Sequence, residues 1–317
     1  MLRALSISVL LALVAIAPVS AQDYPNRPIK ILIPYAPGGP SDVAARAMGQ
    51  KLEERLKQPI VVDNRPGANA VIAGNALLAS PADGYTILMA NAASLTSTFI
   101  KAPPFNSLKD FEPVSPILGA SYAVLVNGDL PVKTLPELVA YAKANPGKLN
   151  GASPYASSLL FLELFRNMAG IDFARIDYKG STPASTALLA NEVQFVIDNP
   201  VPFRQHIAAG KMRVIATTAS QRSPFMPDVP SAPEAGYPGL AGFSVSGFWA
   251  PLGTPKAAIA KFNAALNEVL KLPEIVERLA AIGCVPVTGS PEDLRALATR
   301  EAAFYAEAAR LAKYQPE

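Results

Sequence analysis

The sequence of 317 residues contains one cysteine, Cys284, and one histidine, His206. A single cysteine cannot form an internal disulfide, and its apolar neighbours predict a buried, unreactive thiol. A serine or cysteine nucleophile normally needs a positioned base, and His206 is the one histidine that could serve. No G-x-S-x-G motif occurs, and no His, Cys and carboxylate residues have the spacing of metal ligands. We therefore expect no catalytic residue, metal or cofactor, although hydrolysis by paired carboxylates stays open.

Excess charge and long apolar stretches are also scarce. The chain has 28 Lys and Arg against 25 Asp and Glu, a net charge of +3 that is too weak and too evenly spread for a nucleic-acid surface. One apolar run, Ala4–Ala17, follows Arg3 and precedes Val19-Ser20-Ala21, which is typical of a signal peptide cleaved before Gln22. We expect residues 1–21 to be removed and the remainder to be an exported, soluble protein without a lipid anchor.

The stretch Ile29–Arg46 combines three local signals. Ile29–Tyr35 has the composition of a buried strand, the Pro and Gly residues that follow end regular structure, and Ser41 or Asp42 can cap a helix. A strand, a glycine turn and a helix start leave free N–H groups at a positive helix end, which suits an anion. The absence of a Walker lysine and of G-x-G-x-x-G argues against a nucleotide phosphate. An ordinary βα turn is the alternative.

The same strand, turn and helix pattern recurs along the chain. Gln58–Asp63 predicts a second strand, Val71–Ser80 a helix, and Tyr85–Ala90 a third strand that ends at Asn91. Strands at Phe173–Tyr178, Val193–Ile197 and Arg213–Thr218 repeat the pattern in the second half. Alternating units of this kind build parallel sheets, and ligands bind beyond the carboxyl ends of their strands.

A mature chain of this length is large for one core and natural for two lobes. Ala102–Pro116, rich in proline, predicts a segment that crosses between lobes, and Phe243–Pro251 predicts the return crossing. We expect an α/β protein whose first lobe comprises residues 22–112 and 222–317 and whose second lobe comprises residues 113–221.

Eight stretches, taken in order, resemble the Bug/TctC family of solute-binding proteins: PIKILIPYAPGGPSDVAAR, QPIVVDNRPGA, SPADGYTILMA, LKDFEPVSPI, AYAKANPGKLN, ELFRNMAGIDFARIDYKGSTPA, RSPFMPDVPSAPEAGYPG and FWAPLGTP. The resemblance implies a two-lobed type II periplasmic binding protein that holds a small carboxylate in the cleft between its lobes. It also implies that backbone groups and ordered water of two loops, here Pro37–Asp42 and Gly67–Ala70, hold that carboxylate. The chain departs from the family at Asn69-Ala70, where a second glycine pair is usual, and at Pro154–Ser158, where a glycine-containing serine turn is usual.

The candidate ligand contacts lie in these loops and at the predicted strand ends: Tyr35, Gly38, Gly39, Ser41, Asp42, Ala68, Asn69, Ala70, Asn91, Ser153, Tyr155, Ser157, Ser158, Lys179 and Asp198. Asp42 would repel an anion, so capping the helix is its expected role. Asp198 could meet an amine or hydroxyl of the ligand or fix its own turn. The serines could donate to the ligand or cap a helix, Tyr155 could stack on a flat ligand, and Lys179 could supply a charge or lie in solvent.

The resemblance favours a periplasmic, monomeric receptor for an aliphatic or aromatic carboxylate or an amino acid. Its expected partners are the membrane components of a tripartite tricarboxylate-type transporter. A receptor read by a membrane signalling protein needs the same site, so the sequence does not separate sensing from transport. A hydrolytic enzyme is the less favoured alternative.

Overall fold

Two separate β-sheets, each flanked by helices, make up the fold. The computed structural model describes residues 24–35, 37, 40–67, 70–96, 98, 104–154, 156–178, 180–223 and 226–315. The first sheet has the order β11-β4-β10-β3-β1-β2, with β1 Ile29–Ile33, β2 Ile60–Asn64, β3 Thr86–Ala90, β4 Phe111–Ser121, β10 Phe243–Pro251 and β11 Val285–Pro286. The second has the order β7-β6-β8-β5-β9, with β5 Ala123–Asn127, β6 Asn150–Ser153, β7 Ala174–Asp177, β8 Phe195–Asp198 and β9 Met212–Thr217. This is the predicted α/β class.

Helices occupy most of the connections between the strands. They are α1 Pro40–Leu56, α2 Val71–Leu78, α3 Ser107–Asp110, α4 Leu135–Ala144, α5 Ala156–Ala169, α6 Ser181–Leu189, α7 Arg204–Ala208, α8 Lys256–Val269, α9 Pro273–Ala281 and α10 Pro291–Ala312. Short 3₁₀ helices lie at Ala92–Leu95, Val201–Phe203 and Pro238–Leu240. The cap of α10 is a complete capping box, in which the Ser290 side chain accepts from the Asp293 N–H and the Asp293 carboxylate accepts from the Ser290 N–H.

Each sheet contains a parallel core. β1 pairs in parallel with β2 and β3, and β6 pairs in parallel with β7 and β8. Three carboxyl ends therefore lie at one edge of each sheet, and every one of these six strands leads into a helix. The alternating strand and helix pattern of the sequence predicted this arrangement.

Neither predicted crossing segment has the predicted irregular structure: Phe243–Pro251 is strand β10, and the end of Ala102–Pro116, from Phe111 onwards, lies in β4 of the same sheet. β4 and β10 pair antiparallel over their whole length. The prolines that argued against a strand, Pro113 and Pro116, lie beside two shifts of the β4–β10 register, where a missing N–H donor is tolerated. The chain passes to the second sheet at Tyr122, between β4 and β5, so the predicted lobe limit at residue 112 falls inside β4. The limits of the lobes themselves remain a prediction.

The two actual crossings are joined at Thr218, which directly follows β9. The Thr218 N–H donates to the Tyr122 carbonyl at 2.8 Å, and its Oγ1 accepts from the Tyr122 N–H at 2.9 Å. The same hydroxyl donates to the Gly242 carbonyl at 2.9 Å, while the Gly242 N–H donates to the Thr218 carbonyl at 2.8 Å. One fully buried side chain thus fixes both chain segments that run between the sheets.

The largest apolar core is continuous from the first sheet into the second. It includes Trp249 of β10 and Phe195 of β8, both fully buried, and the inner face of α10. α10 packs against α5 of the second lobe, where the rings of Phe304 and Phe161 lie 5.4 Å apart. The C-terminal helix therefore belongs to the core between the sheets.

The single cysteine has the predicted surroundings. Cys284 is a free thiol with 6% of its surface exposed. Burial raises its pKa to about 11, which keeps the thiol protonated and unreactive at neutral pH.

Thr218→Val should lower the free energy of unfolding by at least about 2 kcal/mol, because it leaves the buried Tyr122 N–H and Gly242 carbonyl without their partner. Thr218→Ser keeps the hydroxyl and loses one methyl group, so it should cost about 1 kcal/mol or less. Urea unfolding of both variants measures the difference. An equal loss in the two variants would mean that the hydroxyl does not hold the crossings.

Candidate ligand cleft

Groups from both sheets surround Tyr122 at the first crossing. The Tyr122 hydroxyl donates to Ser157 Oγ, in the first turn of α5, at 3.0 Å. Desolvation raises the pKa of Tyr122 above its ordinary value, the bond to Ser157 lowers it, and the charges of Asp198 and Glu301 and the phenol of Tyr35 raise it further. Tyr122 is thus in direct contact with the start of α5, and it is near enough to Asp198, Glu301 and Tyr35 for these groups to influence its phenol electrostatically.

Four helix starts follow the carboxyl ends of parallel strands in the two sheets. α1 and α2 follow β1 and β2 of the first sheet, and α5 and α6 follow β6 and β7 of the second. The first turn of a helix has free N–H groups and a partial positive charge. Helix starts contributed by both lobes therefore make the cleft favourable for an anion.

Two candidates of the first lobe differ in their exposure. Tyr35 is 47% exposed, yet surrounding protein raises the pKa of its phenol by desolvation, which fits a side chain inside an open cleft. Asp42 is only 4% exposed and forms an ion pair with Arg46 at 3.0 Å within α1. Its charge is thus compensated inside the helix, and because α1 begins at Pro40, Asp42 lies within the first turn and not at the predicted cap position.

The backbone of the second loop is held close to the first. The carbonyl of Tyr35 accepts from Asn64 Nδ2 at 3.0 Å, and the N–H of Arg65 donates to the Ile33 carbonyl at 2.7 Å. Ala70 precedes α2 with a φ of 69°, a conformation that favours glycine or asparagine. Ser41 lies half-buried in the first turn of α1.

The serines of the second lobe have separate environments. Ser158 is fully buried, and its hydroxyl donates to the Ile197 carbonyl at 2.5 Å, so it fastens α5 to β8. Ser157 is half-buried and accepts from Tyr122. Ser153, at the end of β6, is 3% exposed. Ser157 is thus the serine that the structure brings to Tyr122.

Asp198 ends β8 and is fully buried. Its Oδ1 accepts from the Asn199 N–H at 2.6 Å, which is the turn-fixing contact that the sequence suggested. Its charge also acts on Tyr122. Asp198 is therefore a fully buried, turn-fixing group close enough to Tyr122 to influence it electrostatically.

Asn91 makes all its hydrogen bonds within the protein. Its Oδ1 accepts from the Ser94 N–H at 3.1 Å, and its Nδ2 donates to Ser244 Oγ at 2.7 Å and to Glu301 Oε1 at 2.8 Å. Glu301 Oε2 accepts from the Val245 N–H at 3.1 Å. Asn91 thus joins the end of β3 to β10 and α10 beneath the cleft.

The remaining predicted contacts lie outside the described residues: Gly38, Gly39, Ala68, Asn69, Tyr155 and Lys179. Sequence reasoning missed Tyr122, Thr218 and Glu301. Each lies in a segment whose sequence is typical of core packing. Its role depends on contacts with residues that are far away in the sequence. The unusual hydroxyls flanking the apolar strands, in SYAVLV and ATTAS, were the available signal.

The arginines near the two loops are already paired. Arg46 pairs with Asp42, and the exposed Arg65 pairs with Asp63 at 3.0 Å. Among the residues that the structure describes, no three or more His, Cys, Asp or Glu side chains are placed to hold a metal ion. Within the same ranges, no helix combines the length and apolar character needed to cross a bilayer.

The sequence model of one family matches most of the chain. The family is described as "Tripartite tricarboxylate transporter family receptor" (TctC), and the match spans residues 44–307. The chain belongs to the TctC family. TctC proteins are solute-binding receptors and not enzymes.

Relatives and solved structures support this assignment. Protein BugT of Bordetella pertussis is 37% identical over 286 residues, which cover 88% of this chain and 87% of BugT. The periplasmic binding protein BugD has 30% identity and a TM-score of 0.74, with 93% of this chain and 100% of BugD covered. An R. palustris protein solved with adipate has 30% identity and a TM-score of 0.79, with 93% and 100% covered. The fold is therefore the two-lobed periplasmic binding protein fold.

The buried Glu301 gives this TctC protein a pH-dependent stability. Desolvation raises the pKa of Glu301 above its ordinary value of 4.5, and hydrogen bonds from Asn91, Val245, Tyr305 and Ser244 oppose the rise. With a raised pKa in the folded state, the contribution of Glu301 to stability is complete below about pH 4.5. It is lost as the pH rises through the pKa of the folded protein.

Glu301→Gln should destabilise the protein by about 1–3 kcal/mol at low pH, because the amide NH₂ faces N–H donors where a carboxyl oxygen accepts. The difference from wild type should shrink as the pH rises above about 4.5. Glu307→Gln, on the exposed side of α10, is the matched control, since Arg310 lowers the pKa of Glu307. The difference in the free energy of unfolding between Glu307→Gln and wild type should grow as the pH rises. Urea unfolding at several pH values measures both, and the same trend in both variants would contradict this role of Glu301.

Proposed function

We propose that the protein captures a small carboxylate in the cleft around Tyr122 and presents it to a tripartite tricarboxylate-type transporter. The observation that carries the proposal is the contact of Tyr122, at the first crossing, with Ser157 in the first turn of α5, and the helix starts that follow parallel strands in both sheets support it. The membrane components of such a transporter are the proposed partners. Export after removal of residues 1–21 would bring the receptor to the periplasm, where TctC proteins work.

The carboxylate is held by backbone donors more than by side-chain charges. Arg46 and Arg65 are already paired with carboxylates of their own loops. Each hydrogen bond to a charged group contributes about 1.5–3 kcal/mol. A few N–H donors at the helix starts therefore suffice for micromolar binding, about −8.2 kcal/mol, after ordering costs.

The ligand class is a small carboxylic acid that reaches both lobes. The similar R. palustris protein was solved with adipate, which makes an aliphatic dicarboxylate the first compound to test. A ligand with one carboxylate at the first-lobe helix starts and a second polar group near Ser157 and Asp198 would contact both lobes and stabilise closure. Aromatic acids and amino acids also carry a carboxylate that can bind at the first-lobe helix starts, so they belong in the same screen.

Thermal shift with aliphatic dicarboxylates, hydroxy acids, aromatic acids and amino acids should find a ligand that raises the melting temperature, since binding to the native state alone stabilises it. Calorimetry then gives the affinity, and neutral diamides of the same length serve as controls. Stabilisation by the diamides equal to that by the acids would contradict carboxylate recognition.

Gly39→Val should weaken binding of that ligand at least tenfold, about 1.4 kcal/mol, because a β-branched residue restricts the backbone of the Pro37–Asp42 loop. Arg65→Ala should change the affinity much less, because Arg65 is exposed and paired with Asp63. Calorimetry on both variants decides the mechanism. Loss of binding in Arg65→Ala with normal binding in Gly39→Val would mean that a salt bridge holds the ligand.

A further inference from the structure

A second cavity lies between the lobes, away from the helix starts that surround Tyr122. Its volume is about 540 Å³, which is within the usual range for sites that bind small molecules. Its walls come from the end of β4 in the first sheet, from the edge strand β9 in the second, and from the return crossing at Met226 and Val229. Both lobes and a crossing segment thus border it.

The walls of this second cavity, which we call the rear cavity, are mainly apolar. The first lobe contributes Ala280 and Val285, and the second contributes Val201, Ile207 and Met212. The two lobes also touch at its rim, because a side chain added at Gly283 would lie 2.6 Å from Val201 Cγ2. An occupant would therefore bury an apolar body between surfaces that the protein itself leaves unfilled.

The charges along the rear cavity have one sign. Arg204 and Arg213 line it, and none of its described lining residues is acidic. Arg204 reaches across the lobes and donates from Nη2 to the Ala281 carbonyl at 3.0 Å, and Arg213 donates from Nη1 to the Val132 carbonyl at 2.8 Å. A guanidinium has five N–H donors, so each keeps donors beyond these bonds. Neither arginine forms an ion pair with another residue of the described ranges.

We propose that the rear cavity is a second binding site, for an amphipathic monocarboxylate with an apolar tail. The tail fills the space between Ala280, Val201 and Met212, and the carboxylate pairs with Arg204 at the rim. This chemistry differs from that of the cleft, where paired arginines and helix starts favour a small polar acid.

Decanoate is the probe, and calorimetry should detect its binding to the wild-type protein with decanol binding at least tenfold more weakly. Ala280→Phe fills the cavity and should abolish the binding. Ala281→Phe is the matched control, because Ala281 is the next residue of α9, is exposed and does not line the cavity. Arg204→Gln should weaken decanoate about tenfold, whereas Arg278→Gln, an exposed arginine of α9 outside the cavity, should leave it unchanged.

Three outcomes would overturn the proposal: no decanoate binding to the wild type, equal binding to Ala280→Phe and wild type, or equal loss in Ala281→Phe and Ala280→Phe. Circular dichroism and thermal melting of each variant verify that it is folded. A cleft ligand found by the carboxylate screen gives a separate readout, since Ala280→Phe should still bind it. Failure of that screen would leave the decanoate result intact, so the two proposals fail independently.

Discussion

The position of Tyr122 depends on the hydrogen bonds of one buried threonine. Thr218 ties Tyr122, in the first crossing, to Gly242, in the second, through both its backbone and its hydroxyl. Two segments that are far apart in the sequence are thereby tied together. Tyr122 is held by its backbone on one side and by Ser157 at its hydroxyl on the other. A change at Thr218 therefore displaces a side chain that reaches the second lobe's own helix start.

α10 provides the second constraint, because it contributes to both lobes at once. Its apolar face packs on the core between the sheets and on α5, while Glu301 on the same helix binds the end of β3 through Asn91 and β10 through Val245. A buried carboxylate is costly unless donors surround it. The hydrogen-bond donors here come from three separate elements. All the hydrogen bonds of Glu301 therefore form only when these elements keep their relative positions. The hydrogen bonds of Glu301 and Asn91 thus hold β3, β10 and α10 in the same arrangement as the apolar core does.

Local patterns predicted the parts of the fold that depend on local chemistry. Short apolar runs predicted the strands near β1, β2 and β3, and Val71–Ser80 predicted the helix that forms α2. β4 was missed because its prolines, which normally exclude a strand, lie at register shifts that only the partner strand β10 reveals. In the site, the helix starts were predictable from turns and caps. The roles of Tyr122, Asn91 and Glu301 were not, because their partners lie 35 to 210 residues away.

An anion site above buried carboxylates requires that their charge be offset locally. Asp198 accepts from the backbone at the end of its own strand, and Glu301 accepts from Asn91 and Val245. Desolvation favours the protonated form of Glu301, which reduces the negative charge beneath the cleft further. The partial positive charges of the helix starts belong to both lobes and lie beyond the carboxyl ends of the strands. In the proposed function, a cleft arranged this way would attract a carboxylate through fixed dipoles whose strength does not depend on a mobile side chain.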